Sequence, residues 1–347
     1  MKQQALQQHF RRRGLPFEVV AEPIALEGGL LNHVWRVPTQ AGSVIVKYAP
    51  PYIATQPEVA LPCERAHFEA QALETLGQGL WENGLTIPTL YDYDNQANIL
   101  VMQDAGPLPN LREKLMDLSF SDADAERIGV QLGSFIGHLH QHTFGQPSFA
   151  ERFHNMEIQK VRKGVQYHMP LEVLTNWTHQ ASAVLAKMDQ MGTAILQPGQ
   201  CMIMGDLWPQ SILIAPHEVW VIDWELTHYG FRVQDVGHLL AHLWMIWDRA
   251  KNQVVKAHIV ALAWAFRQKY EEIAGQNLAY LQVEDSGSHP IAVHIGTEVL
   301  QRVIGNFSQA YVYQGTPDTA KKKIVDLMVE LILQEHLPLL GPIWNGA

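Results

Sequence analysis

The residue pattern of the chain changes at Gly106-Pro107-Leu108-Pro109, and this change constrains the fold more than any other feature. Upstream, short runs rich in Val, Ile and aromatic residues alternate with glycine turns, which indicates a small sheet. Downstream, apolar residues recur at helical spacing, apart from a short non-helical island at residues 202–224. The sequence therefore predicts an α+β fold with two lobes: a small α/β N-lobe at residues 1–104 and a larger, mostly helical C-lobe at residues 105–347.

The predicted elements follow from this patterning. Strand-like runs cover residues 17–21, 33–37, 43–48, 88–93, 98–102, 212–214 and 219–222. Helical patterns cover residues 3–13, 62–76, 108–115, 123–142, 171–188, 233–250, 253–273, 291–313 and 319–336. The length of 347 residues agrees with two units of about 150 residues each.

Composition excludes several classes of protein. Lys and Arg number 25 against 35 Asp and Glu, and the resulting charge of −10 argues against a nucleic-acid-binding surface but leaves room for a local phosphate pocket. No apolar run reaches the about 18 residues of a membrane span, and the N-terminus lacks the apolar segment of a secretory signal. The two cysteines, Cys63 and Cys201, form no disulfide framework. We therefore expect a cytoplasmic protein without nucleic-acid or membrane partners, and the sequence leaves a homodimer open.

The non-helical island carries the most informative motif. Asp206 follows a glycine, Ser211 lies five positions later, and a strand-like run then leads to Asp223 and Glu225. Phosphoryl transfer by kinases uses one carboxylate to orient the attacking hydroxyl and take its proton, and a second to hold Mg²⁺. Because Mg²⁺ prefers oxygen ligands, Asp223 with Ser211 or Glu225 would suit it. Taken alone, the motif favours an ordinary turn followed by a strand-end carboxylate, because short motifs have many false positives.

A second constellation lies upstream, where a turn containing Gly28, Gly29 and Asn32 precedes the run that ends at Lys47. A glycine turn lets the backbone approach phosphate oxygens, and a lysine on the next strand can pair with them. A lysine at a strand end can also be a surface residue that extends its ammonium group into water.

A kinase also needs a helical glutamate that holds this lysine in an ion pair. Glu64, Glu69 and Glu74 are candidates, and Glu69 is favoured because Ala70 and Leu73 place its neighbourhood on the inward face of the helix. A glycine turn, a strand lysine, a helix glutamate, a Gly-Asp loop and a second aspartate therefore follow one another in the order that kinases require. This order predicts ATP- and Mg²⁺-dependent phosphoryl transfer.

These segments resemble the aminoglycoside phosphotransferase and choline kinase superfamily, and within it most closely the methylthioribose kinases. The similarity is carried by residues 29–37, 44–52, 65–73, 205–211 and 296–305. Methylthioribose kinases also carry serine, rather than the asparagine usual in the superfamily, at the position of Ser211. The resemblance implies a protein-kinase-like fold.

The resemblance also implies roles for individual residues. Lys47 would contact the α- and β-phosphates of ATP, and Glu69 would position it. Asp206 would be the catalytic base. Asp223, together with Glu225, would bind Mg²⁺.

Five further positions take roles from the resemblance alone. The adenine would lie near Gln103 and Asp104, at the connection between the lobes. Asp235 would brace the catalytic loop, and Trp208 and Arg302 would lie in or near the acceptor site.

The chain departs from the family pattern at several positions. Met204 replaces the histidine of His-Gly-Asp, which is chiefly a structural hydrogen-bonding group, so a weaker bracing of the loop is expected. Trp208-Pro209-Gln210 replaces a segment with a second histidine, and Gln301-Arg302 replaces a pair of arginines. A methylthioribose-like sugar is thus the favoured acceptor, with an amino alcohol, an aminoglycoside or another sugar as alternatives. A catalytically impaired nucleotide-binding protein is the alternative from another class.

Two histidine pairs have the spacing of one helical face: His138 with His142, and His238 with His242. Two histidines at this spacing can hold zinc when a third ligand is present. The sequence offers neither pair a third ligand at useful spacing, so we interpret these histidines as core or surface residues.

Overall fold

The computed structural model describes residues 2–26, 29–77, 85–275, 290–309 and 311–346. Tertiary contacts divide the chain into two units. The first comprises Met1–Glu82, Thr86–Pro109 and Leu213–Thr227, and the second comprises Asn83–Leu85, Asn110–Ile212 and His228–Ala347. The main sheet lies in the first unit and most helices lie in the second, which confirms the predicted α+β class. Residues 213–227, which the sequence grouped with the C-lobe, belong to the first unit.

The first unit is built on a five-stranded antiparallel sheet. Its strands, in spatial order, are Ile24–Ala25, His33–Thr39, Gly42–Tyr48, Ile99–Gln103 and Leu90–Asp94. Apolar side chains of the sheet, among them Val37 and Val46, pack with Leu6 and Phe10 of the Gln3–Arg12 helix in one buried cluster. In the Ile99–Gln103 strand, four consecutive residues are buried, so both faces of this strand are covered.

The other elements of the first unit are shorter. They are the helix Arg65–Leu76, the 3₁₀ turn Trp224–Leu226, the strand Val219–Val221 and the hairpin Tyr52–Ile53 with Gln56–Ala60. The predicted strand at 17–21 is wrong, because only Val19 pairs with the sheet, opposite Thr39. Val20 is exposed, and Phe17 is only partly buried against the core.

The second unit is mainly helical. Its helices are Leu111–Met116, Asp122–Thr143, Pro147–Arg152, Met156–Gln166, Leu171–Thr175, Ala181–Ala194, Arg232–Arg249, Gln253–Ala274, Pro290–Val303, Asp318–Gln334 and Pro342–Asn345. Two short strands, Cys201–Ile203 and His228–Gly230, pair antiparallel, and 3₁₀ turns lie at Pro209–Ser211, Tyr311–Tyr313 and Leu337–Leu340. Short strands also occur at Leu85–Thr86 and Ile212–Ile214, where the chain passes from one unit to the other.

The two longest helices of the second unit pack unusually closely. A Cβ atom at Gly129 would lie 2.5 Å from the carbonyl oxygen of Leu262, and one at Gly133 would overlap the carbonyl oxygen of Phe266. Glycine is therefore required sterically where Asp122–Thr143 crosses Gln253–Ala274.

Several helix boundaries differ from the sequence prediction. The helix predicted at 171–188 is two helices, because residues 176–180 form a turn in which the Thr178 hydroxyl accepts a hydrogen bond from the Gln180 N–H. The helix predicted at 291–313 ends at Val303, where the Gln301 side chain accepts the Asn306 N–H at 3.0 Å. Among the residues that the structure describes, no helix is both long and apolar enough to cross a membrane.

Candidate active site

Lys47 is the centre of a buried charge network in the first unit. Its Nζ lies 2.9 Å from Glu69 Oε2, 3.0 Å from Asp223 Oδ1 and 3.5 Å from Glu225 Oε1. Burial alone would lower the pKa of Lys47, but the three carboxylates around it raise that pKa well above its ordinary value. The ammonium group therefore stays charged, as a partner for anionic groups must.

Glu69 reaches Lys47 from the Arg65–Leu76 helix and is almost fully buried. Burial raises the pKa of Glu69 above its ordinary value, although the lysine opposes the shift. Of the three glutamates considered from the sequence, Glu69 is the one that forms this ion pair.

Asp223 lies at the end of Val219–Val221 with left-handed backbone angles, φ 64° and ψ 59°. Such a conformation is costly for a residue other than glycine, by about 1–3 kcal/mol, and often marks a functional position. Its side chain is 48% exposed while Oδ1 faces Lys47, so the carboxylate can meet both the lysine and a solvent-borne cation.

Glu225 and Asn32 belong to a buried structural brace around Arg65. Glu225 Oε1 accepts a hydrogen bond from Asn32 Nδ2 at 2.7 Å, and Oε2 accepts one from Arg65 Nε at 3.0 Å. Arg65 also donates to Asn32 Oδ1 at 2.9 Å and to the Pro62 carbonyl at 2.7 Å. Both oxygens of Glu225 are thus engaged inside the protein, which distinguishes it from Asp223. The sequence analysis missed Arg65, whose signal is its position one helical turn before Glu69 on the same face.

The predicted glycine turn is only partly described, because Gly28 lies outside the described residues. At Gly29, a Cβ atom would meet the Asn32 carbonyl oxygen at 3.6 Å, an ordinary van der Waals distance. The described residues therefore show no steric need for glycine at position 29.

The side chains of Gln103 and Asp104 fix the end of the Ile99–Gln103 strand. Gln103 Oε1 accepts hydrogen bonds from Thr89, and Asp104 accepts from Arg36 Nε at 2.6 Å and from the Ser43 hydroxyl at 2.6 Å. Burial opposes ionisation of Asp104, but Arg36 and Ser43 hold its pKa below the ordinary value. The Asp104 carboxylate and the Gln103 side-chain oxygen are thus engaged within the protein.

In the second unit, Asp235 holds the loop that carries Asp206. Its Oδ2 accepts the Met204 N–H and its Oδ1 accepts the Gly205 N–H, both at 2.8 Å. Gly205 has φ +84°, a left-handed conformation that suits glycine at this sharp turn. His140 Nε2 lies 3.2 Å from the same Asp235 carboxylate, which is fully buried.

Asp206 itself lies between two nitrogen-bearing side chains. Its Oδ1 is 3.2 Å from Arg162 Nη1 and 3.2 Å from His238 Nε2. Burial opposes ionisation, but His238 and Arg162 lower the pKa of Asp206 to about 2. The carboxylate is therefore ionised at neutral pH, and 26% of its side chain remains exposed. Arg162 was not found from the sequence, because its helix, Met156–Gln166, was not predicted.

Ser211 turns its hydroxyl into the catalytic loop. Its Oγ lies 2.9 Å from the Trp208 carbonyl and 3.3 Å from the Asp206 carbonyl, and the residue is fully buried. In this structure Ser211 therefore stabilises the turn that follows Asp206.

Trp208 and Arg302 meet in a cluster of aromatic and charged groups. The Arg302 guanidinium lies 5.5 Å from the Trp208 ring and 5.5 Å from the Tyr311 ring, and its Nε donates to Glu298 Oε1 at 2.8 Å. The His242 ring lies 5.3 Å from that of Trp208. The Arg112 guanidinium also lies 5.3 Å from the Tyr311 ring, so the cluster offers flat ring surfaces beside fixed cations, a combination that suits a small polar ligand.

The profile of the phosphotransferase enzyme family matches residues 22–271, well over half of the chain. The chain belongs to this family. A 4-hydroxytryptamine kinase of Psilocybe cubensis is 23% identical over 292 residues, covering 78% of each protein. A methylthioribose kinase of Bacillus cereus (strain G9842) is 25% identical over 357 residues, covering 92% of this chain and 89% of that protein.

Among solved structures, amicoumacin kinase hAmiN in complex with AMP-PNP and Ca²⁺ is similar, with a TM-score of 0.54 over 98% of this chain and 95% of that one. At 13% sequence identity this likeness shows a common fold. The protein-kinase-like fold is thereby confirmed. This phosphotransferase is a small-molecule kinase.

In the phosphotransferase, the carboxylate of Glu298 lies beside the histidine pair His238 and His242. The sequence did not reveal this third possible metal ligand. His238, His242 and Glu298 lie close enough together to hold a metal ion. However, Glu298 Oε1 already accepts a hydrogen bond from Arg302, so its charge is balanced by a guanidinium. We therefore interpret the three as part of a buried charge network. Among the described residues, no third such group joins His138 and His142.

Proposed function

We propose that this phosphotransferase transfers the γ-phosphoryl group of ATP, with Mg²⁺, to a hydroxyl group of a small polar metabolite. A methylthioribose-like sugar is the leading acceptor. The observation that carries the proposal is the placement of Asp206 between Arg162 and His238, which keeps the carboxylate ionised beside a partly exposed loop.

On the nucleotide side, Lys47 binds phosphate oxygens and Glu69 holds the lysine extended toward them. The buried brace of Arg65 and Glu225 fixes the helix that carries Glu69. Because Lys47 already faces a carboxylate, an arriving triphosphate competes with Asp223 for the ammonium group.

Asp223 is the metal ligand in this proposal. Mg²⁺ prefers oxygen ligands and neutralises charge on the phosphates when bound. A half-exposed carboxylate in a strained backbone conformation fits this requirement. Glu225 and Ser211, considered with Asp223 from the sequence, have their oxygens engaged within the protein, so we assign the metal to Asp223.

On the acceptor side, Asp206 accepts a hydrogen bond from the acceptor hydroxyl. This bond orients the lone pair of the hydroxyl oxygen toward the γ-phosphorus. The low pKa of Asp206 suits a positioning base, since the carboxylate is never protonated before the acceptor arrives. Asp235 keeps the loop in place, and Trp208 with Arg302 contacts the acceptor.

The test is an ADP-release assay with Mg²⁺ and ATP against an acceptor panel, with products identified by ³¹P NMR. The panel contains methylthioribose, choline, an aminoglycoside and 4-hydroxytryptamine. Turnover with one acceptor should be lost in Asp206→Ala and kept in Asp189→Ala, a matched change at an exposed aspartate that pairs with Lys163. Nucleotide binding without turnover on any acceptor would favour the alternative of a catalytically impaired protein.

A hydroxylated aromatic amine is a second candidate acceptor. The observation in its favour is the pair of rings, Trp208 and Tyr311, that flank Arg302, because such rings can stack on an aromatic acceptor. Faster turnover of 4-hydroxytryptamine than of methylthioribose would favour this candidate.

A further inference from the structure

The two carboxylates of the cluster around Arg302 are both paired with arginines. Asp206 Oδ1 lies 3.2 Å from Arg162 Nη1, and Glu298 Oε1 accepts a hydrogen bond from Arg302 Nε at 2.8 Å. Glu298 is only 2% exposed, so a ligand does not reach it in this structure. Asp206 is reserved for the acceptor hydroxyl by the proposed reaction. Within the described part of the second unit, the cluster therefore offers no spare carboxylate to a ligand.

Arg302 keeps part of its guanidinium group available. Glu298 uses only Nε, and Nη1 and Nη2 have no hydrogen-bond partner among the described residues. The guanidinium lies 5.5, 5.5 and 4.7 Å from the rings of Trp208, Tyr311 and Phe307. Burial lowers the pKa of Arg302, but the Glu298 carboxylate raises it above the ordinary value, so the cation is permanent. Arg302 thus presents charged N–H donors between fixed rings.

Arg112 adds a second cation to the same rings. It lies on the Leu111–Met116 helix, and its guanidinium is 5.3 Å from the Tyr311 ring, which also faces Arg302. In the part of the chain that the structure describes, no carboxylate forms an ion pair with Arg112. A guanidinium without a carboxylate partner favours a ligand that brings oxygen atoms.

Tyr311 connects the two arginines and has a strained backbone. Its φ of 68° is left-handed, a conformation that is costly for a residue other than glycine and often marks a functional position. Burial raises the pKa of the Tyr311 hydroxyl above its ordinary value, so the side chain is uncharged and neutralises neither arginine.

The charges of the cluster are consequently unbalanced. Arg162 and Arg302 each have a carboxylate partner, whereas Arg112 has none among the described residues. Histidine rings are neutral or positive, so the histidines nearby cannot compensate for this surplus. An ammonium group at the cluster would meet excess positive charge and no spare carboxylate. Hydroxyl or carboxylate oxygens would instead accept hydrogen bonds from the guanidinium groups.

We propose that the acceptor site selects oxygen-rich molecules that lack an ammonium group, and that Arg112 and Arg302 determine this specificity. The inference rests on the proposed function and separates the acceptors that it leaves open. It favours sugars over amino alcohols, aminoglycosides and aromatic amines. Trp208 and Tyr311 contact the apolar part of the acceptor, while its oxygen atoms accept hydrogen bonds from the two arginines.

The first experiment extends the acceptor panel with glucose, glucuronate and glucosamine, which share a pyranose ring and differ in charge. ADP release with Mg²⁺ and ATP gives kcat/KM for each acceptor. The value for glucosamine should be at least about 10-fold below that for glucose, and the best acceptor of the whole panel should carry no ammonium group. A best acceptor with an ammonium group, or turnover of glucosamine as fast as that of glucose, would overturn the inference and leave the proposed function intact.

Arg112→Glu tests the specificity directly, because it reverses one charge and leaves Asp206 untouched. The KM for the best acceptor should rise by at least about 10-fold with little change in kcat. The ratio of kcat/KM between acceptors without and with an ammonium group should fall by a similar factor. Arg112→Lys retains the positive charge and should retain the ratio. A side chain that only supports the fold would change Tm without changing this ratio.

Arg127→Glu is the matched control. Arg127 lies on the Asp122–Thr143 helix of the same unit, where it pairs with Asp124 at 3.5 Å. This variant should keep the KM and the acceptor preference of the wild-type protein. If Arg112→Glu also keeps both, the inference is overturned, while turnover by the wild-type protein still supports the proposed function. A wild-type protein that phosphorylates no acceptor would overturn the proposed function, and the inference with it.

Discussion

Asp235→Ala tests how the catalytic loop is held. The substitution removes a fully buried carboxylate and leaves the Met204 N–H, the Gly205 N–H and His140 without their acceptor. An unsatisfied buried group costs about 1–3 kcal/mol, and removing one partner of a buried charged set costs about 3–5 kcal/mol. We therefore expect the free energy of unfolding to fall by about 3–5 kcal/mol. At about 2–4 °C per kcal/mol for a unit of this size, Tm should fall by about 6–20 °C.

The measurement is thermal unfolding followed by circular dichroism, with ADP release measured at a temperature where the variant is folded. Asp248→Ala is the matched control, because Asp248 lies on the same helix and, within the described part of the chain, accepts one hydrogen bond, from the Tyr313 hydroxyl at 3.2 Å. That change should cost about 0.5–1.5 kcal/mol. If both variants lose the same stability, or if folded Asp235→Ala keeps wild-type turnover, the bracing role assigned to Asp235 is refuted.

Three further variants address other parts of the protein. Lys47→Met should reduce ADP release at least 100-fold, because the variant lacks the cation that would pair with the phosphates. Isothermal titration with ATP should also show weaker binding. Burial lowers the pKa of His242 to about 3 from 6.5, so between these values mainly the unfolded chain gains a proton at this residue. In the wild-type protein, this proton uptake should lower the free energy of unfolding by about 1.4 kcal/mol per pH unit as the pH falls from about 6 to 5. His242→Gln should abolish this contribution in urea unfolding; an unchanged slope would contradict the argument. Gly133→Ala should lose about 1–3 kcal/mol through overpacking, whereas Gly164→Ala, in open space on a helix, should gain up to about 1 kcal/mol; equal Tm values would contradict the packing argument.

The central sheet was predictable from sequence because its strands combine β-branched residues with glycine turns. The strand predicted at 43–48 is Gly42–Tyr48, and that predicted at 98–102 is Ile99–Gln103. Lys47 and Glu69 were predictable for a related reason, since a strand lysine followed by a glutamate on an inward helix face is a local pattern. Local patterns of this kind depend on periodicity, which survives in a single sequence.

The partners of Asp206 were not predictable in the same way. Arg162 lies on a short helix with few apolar residues, which concealed the helix, although Asn155 provides an N-cap that accepts the Ile158 N–H. Glu298 approaches His238 from a helix 60 positions further along the chain. Contacts across such separations are set by the packing of helices, which residue spacing does not encode.

Met204 replaces the histidine of the family motif, and other contacts of Asp235 compensate for the missing histidine. The histidine that related kinases carry at this position would supply a side-chain hydrogen bond, yet here Asp235 holds the loop through backbone N–H groups, which a methionine supplies equally well. A histidine still contacts Asp235, but it is His140, from the Asp122–Thr143 helix.

The state of His140 follows from its two partners. Burial lowers the pKa of this histidine, so the ring is neutral and carries one N–H. Tyr270 Oη lies 2.9 Å from Nδ1 and can donate to it, which leaves the single N–H on Nε2, facing Asp235. The hydrogen bond expected from residue 204 is thus provided by a residue 64 positions earlier. Bracing of the loop consequently does not depend on a histidine at position 204, and Met204 adds a buried apolar side chain at the same point.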